Sequence, residues 1–200
     1  AVEVTASNAY GSDVQSFTVT VAGIAPVITS TPVTDGTYGV LYTYDADADG
    51  YPPSTFALTV APAGMTIDAA TGVITWTPDD VGDFAVEVTA TNAYGSDAQS
   101  FTITVVGIAP SFTSTPITDG TYGVAYSYDA DADGYPAATF AVTGPAGMTI
   151  DPATGIISWT PGDVGDFAVE VTATNAYGSD VQNFTITVVG IAPNFTSTPV

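Results

Sequence analysis

A long internal repeat constrains the fold of this chain more than any other feature of its sequence. Residues 1–25, which read AVEVTASNAYGSDVQSFTVTVAGIA, return almost unchanged at 85–109 and again at 168–192. The spacings are 84 and then 83 residues, and the one-residue difference falls where 59–64 (TVAPAG) becomes 143–147 (TGPAG). A period of this length predicts a tandem array of small domains, each with its own core.

The repeat divides the chain into four parts. Residues 1–25 are the C-terminal part of one unit, 26–109 and 110–192 are two complete units, and 193–200 are the start of another. We expect the chain to be a window from a longer array. The alternative is a subunit that completes its end parts with strands of a neighbour, but the two ends together supply well under half of one unit.

Each unit has the pattern of β-strands throughout. Apolar residues alternate with Ala, Glu and Thr in 84–90 (FAVEVTA) and again in 100–105 (SFTITV), which is the two-residue period of a half-buried strand. The turn residues of 92–96 (NAYGS) lie between them and predict a hairpin. Further strands are expected at 27–31, 40–44, 55–60 and 73–76, separated by DADADGYPP, APAG and DAATG. About seven short strands in each unit predict an all-β sandwich.

The order of motifs within each unit resembles a known family. TSTP, GxxYxYDADADG, PAGMTIDxxTGxIxWTP and VGDFAVEVTATNAYG follow one another in both units, as in the putative-Ig and cadherin-like repeats of large prokaryotic surface proteins. The third block, at 62–78 and 145–161, is the most specific. The resemblance implies tandem immunoglobulin-like β-sandwich domains and an extracellular or cell-surface location.

A second resemblance concerns the segment 80–86 (DVGDFAV), which is similar to the Asp-x-Gly-x-Tyr-x-Cys corner of immunoglobulin domains. Phe84 and Val86 stand at its Tyr and Cys positions, so the resemblance implies a relative without the inter-sheet disulfide. The chain contains no cysteine. Trp76 lies two residues from Ile74 on one strand face, and Trp159 and Ile157 repeat this spacing, so all four are expected in the core.

The charge balance excludes one class of partner and favours another. The chain has 21 Asp and Glu, no Lys, Arg or His, and a formal charge of −21. Nucleic acid is excluded as a partner because there are no cations to neutralise phosphates. The carboxylates must therefore be solvated, hydrogen-bonded to neutral donors or bound to metal cations. Without His and Cys, the favoured ion is Ca²⁺.

Membrane insertion and catalysis are both unexpected. The longest apolar runs, such as 105–110 (VVGIAP), are much shorter than the roughly 20 residues that span a bilayer. A Ser or Thr nucleophile would lack His or Lys as a base, and every acidic cluster recurs with the repeat. Two carboxylates alone can hydrolyse a glycoside, but here the acids are expected on turns without a cleft. The sequence therefore predicts that the protein is not an enzyme.

The DADADG motif is the strongest candidate for a metal site. Three carboxylates at alternate positions followed by Gly resemble the first half of a Ca²⁺ loop, although the twelfth-position Glu of an EF-hand is absent. The alternative is a solvated acidic turn. Cadherin-type repeats, which this chain resembles, hold Ca²⁺ at domain junctions, and acids from the preceding domain are expected to face the motif there. The candidate ligands are Asp45, Asp47, Asp49, Asp129, Asp131 and Asp133 in the motif, and Asp79, Asp80, Asp83, Asp163 and Asp166 opposite it.

Tyrosines and two sequons are candidate sites of other kinds. The tyrosines either stack on sugars or pack between adjacent domains, with their hydroxyls in water. They follow the acidic motif at Tyr51 and Tyr135, and they occupy hairpin loops at Tyr10, Tyr94 and Tyr177. Asn183 and Asn194 stand in N-glycosylation sequons that the equivalent Ser100 and Ser111 lack.

Taken together, these features predict an extracellular structural protein, a calcium-stiffened rod, stalk or filament of repeated domains. Its partners would be neighbouring copies of the same repeat, including self-assembly into fibres. One alternative is a cell-surface adhesin that binds glycans or other cells, and another is an accessory module of a secreted enzyme. Near-identical units favour a spacer, because specific binding would require particular domains with unusual loops.

Overall fold

β-Strands account for all the regular secondary structure of residues 1–194, the part of the chain that the computed structural model describes. The strands form one hairpin and then two sets of nine, one set in each complete repeat. The expectation of an all-β fold is confirmed. Within residues 1–194 we find no helical segment whose length and hydropathy would allow it to span a bilayer.

The N-terminal hairpin consists of β1 (Val2–Asn8) and β2 (Gly11–Phe17). The two strands pair antiparallel from Val2 opposite Phe17 to Asn8 opposite Gly11, and every residue of both is exposed. The same sequence in the first complete repeat buries its inward-facing residues, among them Val86 and Val88. The hairpin therefore presents an apolar face of the kind that the complete repeats cover.

The first complete repeat forms two sheets and a separate strand pair. Its strands are β3 (Ile24–Ile28), β4 (Asp35–Thr37), β5 (Tyr42–Asp45), β6 (Ala48–Tyr51), β7 (Thr55–Val60), β8 (Thr66–Ile67), β9 (Val73–Trp76), β10 (Gly82–Asn92) and β11 (Gly95–Val106). One sheet has the order β4-β11-β10-β7, the other has the order β5-β9-β8, and β3 pairs with β6. The short strand β4 runs parallel to β11.

The second complete repeat reproduces this topology strand for strand. Its strands are β12 (Ile108–Phe112), β13 (Asp119–Thr121), β14 (Tyr126–Asp129), β15 (Ala132–Tyr135), β16 (Thr139–Thr143), β17 (Thr149–Ile150), β18 (Ile156–Trp159), β19 (Gly165–Asn175) and β20 (Gly178–Val189). The sheets have the orders β13-β20-β19-β16 and β14-β18-β17, and β12 pairs with β15.

The two sheets of a repeat share one apolar core. In the second repeat, Tyr128 and Ile157 of the three-stranded sheet cluster with Val171 and Ile186 of the four-stranded sheet. The Tyr128 ring meets the Phe184 ring edge-on, with centroids 5.7 Å apart. Such packing of one sheet on another defines a β-sandwich.

The predicted core residues are buried as expected. Ile74 and Ile157 are fully buried, and Trp76 and Trp159 are nearly so. The Trp76 indole nitrogen donates a 3.2 Å hydrogen bond to the Ala63 carbonyl oxygen, so its polar atom is satisfied.

Apolar side chains pack at the two positions of segment 80–86 where the immunoglobulin corner has Tyr and Cys. Phe84 lies edge-on to the Trp76 ring, with centroids 4.9 Å apart, and Val86 is buried. The Phe167 ring meets Trp159 in the same way at 5.1 Å. This packing provides the contact between sheets that a disulfide provides in other immunoglobulin domains.

Two details of the expected layout are wrong. The sequence predicts that DADADGYPP separates two strands without being one, but Ala48–Tyr51 within it forms strand β6, which pairs with β3. Alternation of inward Ala with outward Asp has the two-residue period of a strand, which explains the difference. The repeat pattern also predicts a four-residue linker at 107–110 between the two complete units, but most of it is strand, because β12 already begins at Ile108.

The described chain divides into two compact units whose boundaries differ from those of the repeats. Unit 1 consists of residues 1–34, 43–76 and 84–103. Unit 2 contains the described residues from Thr104 onward and also the segments 35–42 and 77–83 of the first repeat. These two segments therefore belong, by their contacts, with the second repeat.

Candidate functional site

The acidic motif spans the end of one strand, two residues outside any strand and the start of the next strand, with all its carboxylates exposed. Asp45, Asp47 and Asp49 are all exposed, whereas Ala46 between them is completely buried. The second repeat shows the same pattern, with Asp129, Asp131 and Asp133 exposed around the buried Ala130. Residues two apart on an extended strand are roughly 6.5 Å apart along it, so such side chains do not converge on one point.

Backbone pairing holds the middle of this motif in place. The Thr29 amide donates to the Asp47 carbonyl oxygen at 2.9 Å, and the Asp47 amide donates to the Ser30 hydroxyl at 2.9 Å. In the second repeat, Thr113, Ser114 and Asp131 make the same two bonds at the same lengths. The motif is therefore part of the edge of each sandwich.

The second group of candidate ligands accepts hydrogen bonds from neutral donors. Asp83 accepts one from the Thr104 hydroxyl at 2.7 Å, and its counterpart Asp166 accepts one from Thr187 at 2.8 Å. Asp163 accepts a 2.8 Å bond from the amide of the residue that follows it. These carboxylates are thus satisfied in one of the ways expected for a chain without basic side chains.

The described acidic side chains do not assemble a metal site by themselves. Within residues 1–194, no three or more Asp or Glu side chains come close enough to hold one ion. Asp79 is exposed and belongs to no such group. A calcium loop needs six to eight oxygens around one centre, and the described arrangement does not fit that requirement. Calcium binding by this chain stays a prediction.

Two polar residues of the last hairpin, Asn175 and Asp180, have structural roles. The Asn175 side-chain amide donates 2.8 Å hydrogen bonds to the carbonyl oxygens of Ile108 and Pro136, and its oxygen accepts one from the Tyr177 amide. Asp180 accepts a 2.9 Å bond from the Phe112 amide. These bonds tie the last hairpin loop to the start of the repeat.

A tyrosine stack lies within unit 2. The rings of Tyr38 and Tyr135 are parallel, with centroids 3.7 Å apart. The Tyr135 hydroxyl donates a 3.0 Å hydrogen bond to Asp80, whose same oxygen also accepts the Val81 amide at 2.8 Å. The hydrogen bond to Asp80 is the main cause that raises the pKa of Tyr135 above its ordinary value, since it favours the protonated phenol.

Sequence reasoning singled out Tyr135 but missed its partner. Tyr38 lies in the turn sequence DGTYGV, which returns in the second repeat around Tyr122. An aromatic residue repeated in an otherwise small and polar turn was the available signal. It indicates a contact there, although it does not identify what the ring touches.

The hairpin tyrosines pack on glycines of their own units. A β-carbon on Gly23 would overlap the Tyr94 ring, and one on Gly107 would overlap the Tyr177 ring. Only glycine allows this approach between backbone and ring. Tyr10 on the N-terminal hairpin is almost fully exposed.

The two sequon asparagines are both exposed. Asn183 lies within β20, opposite Glu170 of β19. Asn194 is the last described residue, and Thr196, which completes its sequon, lies outside the described part. Glycosylation at either position stays a prediction.

Comparison with known proteins gives the same domain type. The family model described as "Putative Ig domain" matches residues 25–106 and 109–189. The chain is 35% identical over 182 residues to the "Serine-rich adhesin for platelets" of Staphylococcus aureus strain N315. That match covers 85% of this chain and 7% of the adhesin. The chain therefore spans a small part of the length of this relative.

Solved structures of immunoglobulin domains are also similar. Sidekick-1 immunoglobulin domains 1–5 match with 18% identity and a TM-score of 0.41, covering 83% of this chain and 40% of that one. The titin domains Z1Z2 in complex with telethonin match with 16% identity and a TM-score of 0.49, covering 84% and 98%. The family model covers well over half of the sequence, and its two matched segments are the two sandwiches. This chain belongs to the Putative Ig domain family, with two immunoglobulin-like domains in tandem.

Proposed function

We propose that this chain is a spacer segment of an extracellular or cell-surface protein, in which tandem immunoglobulin-like repeats form a rod, stalk or filament and catalyse no reaction. The observation that carries this proposal is that the two complete repeats have the same strand topology and the same buried hydrogen bonds. The Tyr44 hydroxyl is hydrogen-bonded to the Ser30 hydroxyl and donates a hydrogen bond to the Gln99 side-chain oxygen, at 2.7 Å each. Its counterpart in the second repeat makes the same bonds at 2.7 and 2.8 Å.

Near-identical repeats are suited to a spacer, in which the number of repeats determines the length of the array. A binding site of high specificity requires one surface that differs from its neighbours, with a few residues that dominate the binding energy. The two repeats instead share strands, core and hydrogen-bond network. Repeats of this kind extend an array by a constant increment.

Similarity to a staphylococcal adhesin supports the cell-surface setting. It also supports a second candidate function, in which these domains themselves bind glycans or cells. An experiment separates the two. The immobilised 200-residue chain is tested for binding of platelets and of a glycan array, with the heat-unfolded chain as control. A spacer shows no saturable binding above the control, whereas saturable binding by the folded chain alone would establish an adhesive function instead.

Calcium stiffening is the finer part of the proposal, and it rests on charge. The chain has a formal charge of −21 and no basic side chain to offset it, so cations must supply the compensation. Screening by any salt weakens repulsion between exposed carboxylates over a Debye length of about 8 Å at physiological ionic strength. Specific calcium binding must therefore be distinguished from screening.

The test compares cations at constant ionic strength. Melting temperature and hydrodynamic radius are measured in NaCl, MgCl₂ and CaCl₂, each with and without a chelator. Specific binding predicts a higher melting temperature in calcium than in magnesium, reversed by the chelator. Equal values in calcium and magnesium would show that only screening operates and would remove calcium from the proposal.

A further inference from the structure

The stacked tyrosines have counterparts that lack a stacking partner. Tyr38 and Tyr135 are each half-buried where their rings meet. The residue that corresponds to Tyr38 in the second repeat is Tyr122, which is 48% exposed. The residue that corresponds to Tyr135 in the first repeat is Tyr51, which is 65% exposed. The same two positions are thus covered in one case and open in the other.

Residues next to the stacked pair are also less exposed than their counterparts in the other repeat. Val81, next to Asp80, is half-buried, whereas its counterpart Val164 is 52% exposed. Pro136, next to Tyr135, is half-buried, whereas its counterpart Pro52 is exposed. Since the local sequences and strands match, the difference reflects what covers each position.

The polar part of the contact is preformed in the uncovered copy. Asp80 accepts the Val81 amide at 2.8 Å and the Tyr135 hydroxyl at 3.0 Å. Its counterpart Asp163 accepts the Val164 amide at the same 2.8 Å. A carboxylate has about four acceptor positions, so Asp163 can also accept a phenol hydroxyl.

We propose that each repeat carries two complementary surfaces and that the partner of each is a further copy of the same repeat. The acceptor surface consists of Tyr122, Asp163 and Val164, and the donor surface consists of Tyr51 and Pro52. The tyrosine of a donor surface stacks on Tyr122 and donates its hydroxyl to Asp163. This inference rests on the proposed function and deepens it by naming the contact through which an array is held.

The chemistry of the contact suits a chain without cations. Tyrosine offers a neutral hydroxyl donor to a carboxylate and an apolar ring for stacking. Because the donor and acceptor surfaces differ, one copy can use both at once, and a contact of this heterologous type can be repeated from one copy to the next. The same pair of surfaces thus serves any number of successive repeats.

Cysteine trapping tests the contact directly, since the chain contains no cysteine of its own. The 200-residue Tyr122→Cys chain is mixed with a Tyr51→Cys chain of distinguishable mass under mild oxidation at high salt. A Tyr10→Cys chain replaces the second partner as the control, because Tyr10 is 99% exposed and lies on the N-terminal hairpin, which carries neither surface. We expect the Tyr122→Cys and Tyr51→Cys pair to crosslink at least fivefold faster than the control pair.

Equal crosslinking rates for the two pairs would overturn the proposal. Circular dichroism of each variant before mixing verifies that the sandwiches are intact, which is expected because each substituted ring is about half exposed or more. The outcome is independent of the binding test for the spacer function. Equal rates without glycan or platelet binding would refute the contact alone, whereas fast trapping with saturable binding would refute the spacer function alone.

Discussion

The Ala46 amide donates a 3.2 Å hydrogen bond to the Gly72 carbonyl oxygen, and the Ala46 carbonyl oxygen fills the space where a β-carbon on Gly72 would stand. Gly72 also has a left-handed φ of +81°. The second repeat repeats this arrangement between Ala130 and Gly155. The turn before β9 is thus packed directly against the backbone of the acidic motif.

Substitution of Gly72 by alanine is expected to destabilise the first repeat strongly. Left-handed backbone alone costs a non-glycine residue about 1–2 kcal/mol, and overlap with the Ala46 carbonyl adds roughly 1–3 kcal/mol. Gly64→Ala is the matched control, because Gly64 has a similar φ of +79° with open space around it. Urea unfolding measures both free energies of unfolding, and equal losses would contradict the role assigned to the overlap.

Ser54→Ala is expected to stabilise the chain. The Ser54 hydroxyl is buried without a hydrogen-bond partner, and the equivalent position in the second repeat is Ala138. Removing an unsatisfied buried hydroxyl should raise the free energy of unfolding by about 1 kcal/mol. The reverse substitution, Ala138→Ser, should lower it by a similar amount. Thermal melts of both variants check the pair, and a neutral Ala138→Ser would argue against the explanation.

Alkaline pH is expected to weaken the second repeat through Tyr126. Burial, with a smaller contribution from Tyr128, raises the pKa of Tyr126 from 10.0 to about 12, and its hydroxyl donates a 2.7 Å hydrogen bond to the Ile117 carbonyl oxygen. Because the folded pKa is the higher one, this stabilisation is complete below pH 10 and is lost as the pH rises toward 12.

Tyr126→Phe provides the comparison, since it keeps the ring and removes the ionisable group. The parent chain should be more stable than the variant at pH 8 by about 1 kcal/mol, the usual net value of one hydrogen bond. This advantage should shrink as the pH approaches 12. Melting temperatures across the range measure it, and a constant difference would be inconsistent with a raised pKa.

Acid titration of Glu87 is expected to report on hydrogen bonds across three strands. Glu87 on β10 accepts the Thr59 hydroxyl of β7 at 2.6 Å and the Ser100 hydroxyl of β11 at 2.9 Å. These bonds, Thr59 first, hold the pKa of Glu87 below its ordinary value of 4.5. The stabilisation is therefore present above pH 4.5 and is lost as the pH falls through the folded pKa.

Thr59→Val should raise the pKa of Glu87, and Ser100→Ala should raise it less. Carbon-detected NMR titration of the carboxyl group measures the change. Asp68 serves as an internal control, because its lowered pKa has a different cause, hydrogen bonds from the backbone of Thr71 and Ala70. A shift of Asp68 in either variant would indicate a general rearrangement rather than the loss of one bond.

The strands with strict alternation were predictable from the sequence. The expected strands 55–60 and 73–76 agree with β7 and β9 at both ends, because large apolar residues recur there at every second position, Phe56 and Leu58 in β7 and Ile74 and Trp76 in β9. The strands β4 and β8 have only three and two residues, too few to show any period. In the acidic motif, the inward residue Ala46 is too small to reveal a buried face, and Asp favours turns, so a strand looked like a loop.

The candidate site was less predictable for a physical reason. Composition shows that the carboxylates lack basic partners, but convergence on one ion depends on the path of the backbone. In the described structure Asp45, Asp47 and Asp49 are exposed and form no cluster of three. The Tyr38–Tyr135 stack joins residues from different repeats of the sequence, and a pattern within one repeat carries no information about such a pair.

The exposed hairpin formed by β1 and β2 has the same sequence pattern as β10–β11 and β19–β20, so we expect the three hairpins to compete for the same place in a sandwich. When the chain refolds from denaturant, several similar hairpins are therefore available to complete each sandwich. Exchange of hairpins between repeats, or between molecules, preserves nearly every native contact and is opposed mainly by connectivity. During translation, each sandwich can fold before the next hairpin is synthesised. We therefore expect folding during synthesis to give less hairpin exchange than refolding of the complete chain from denaturant.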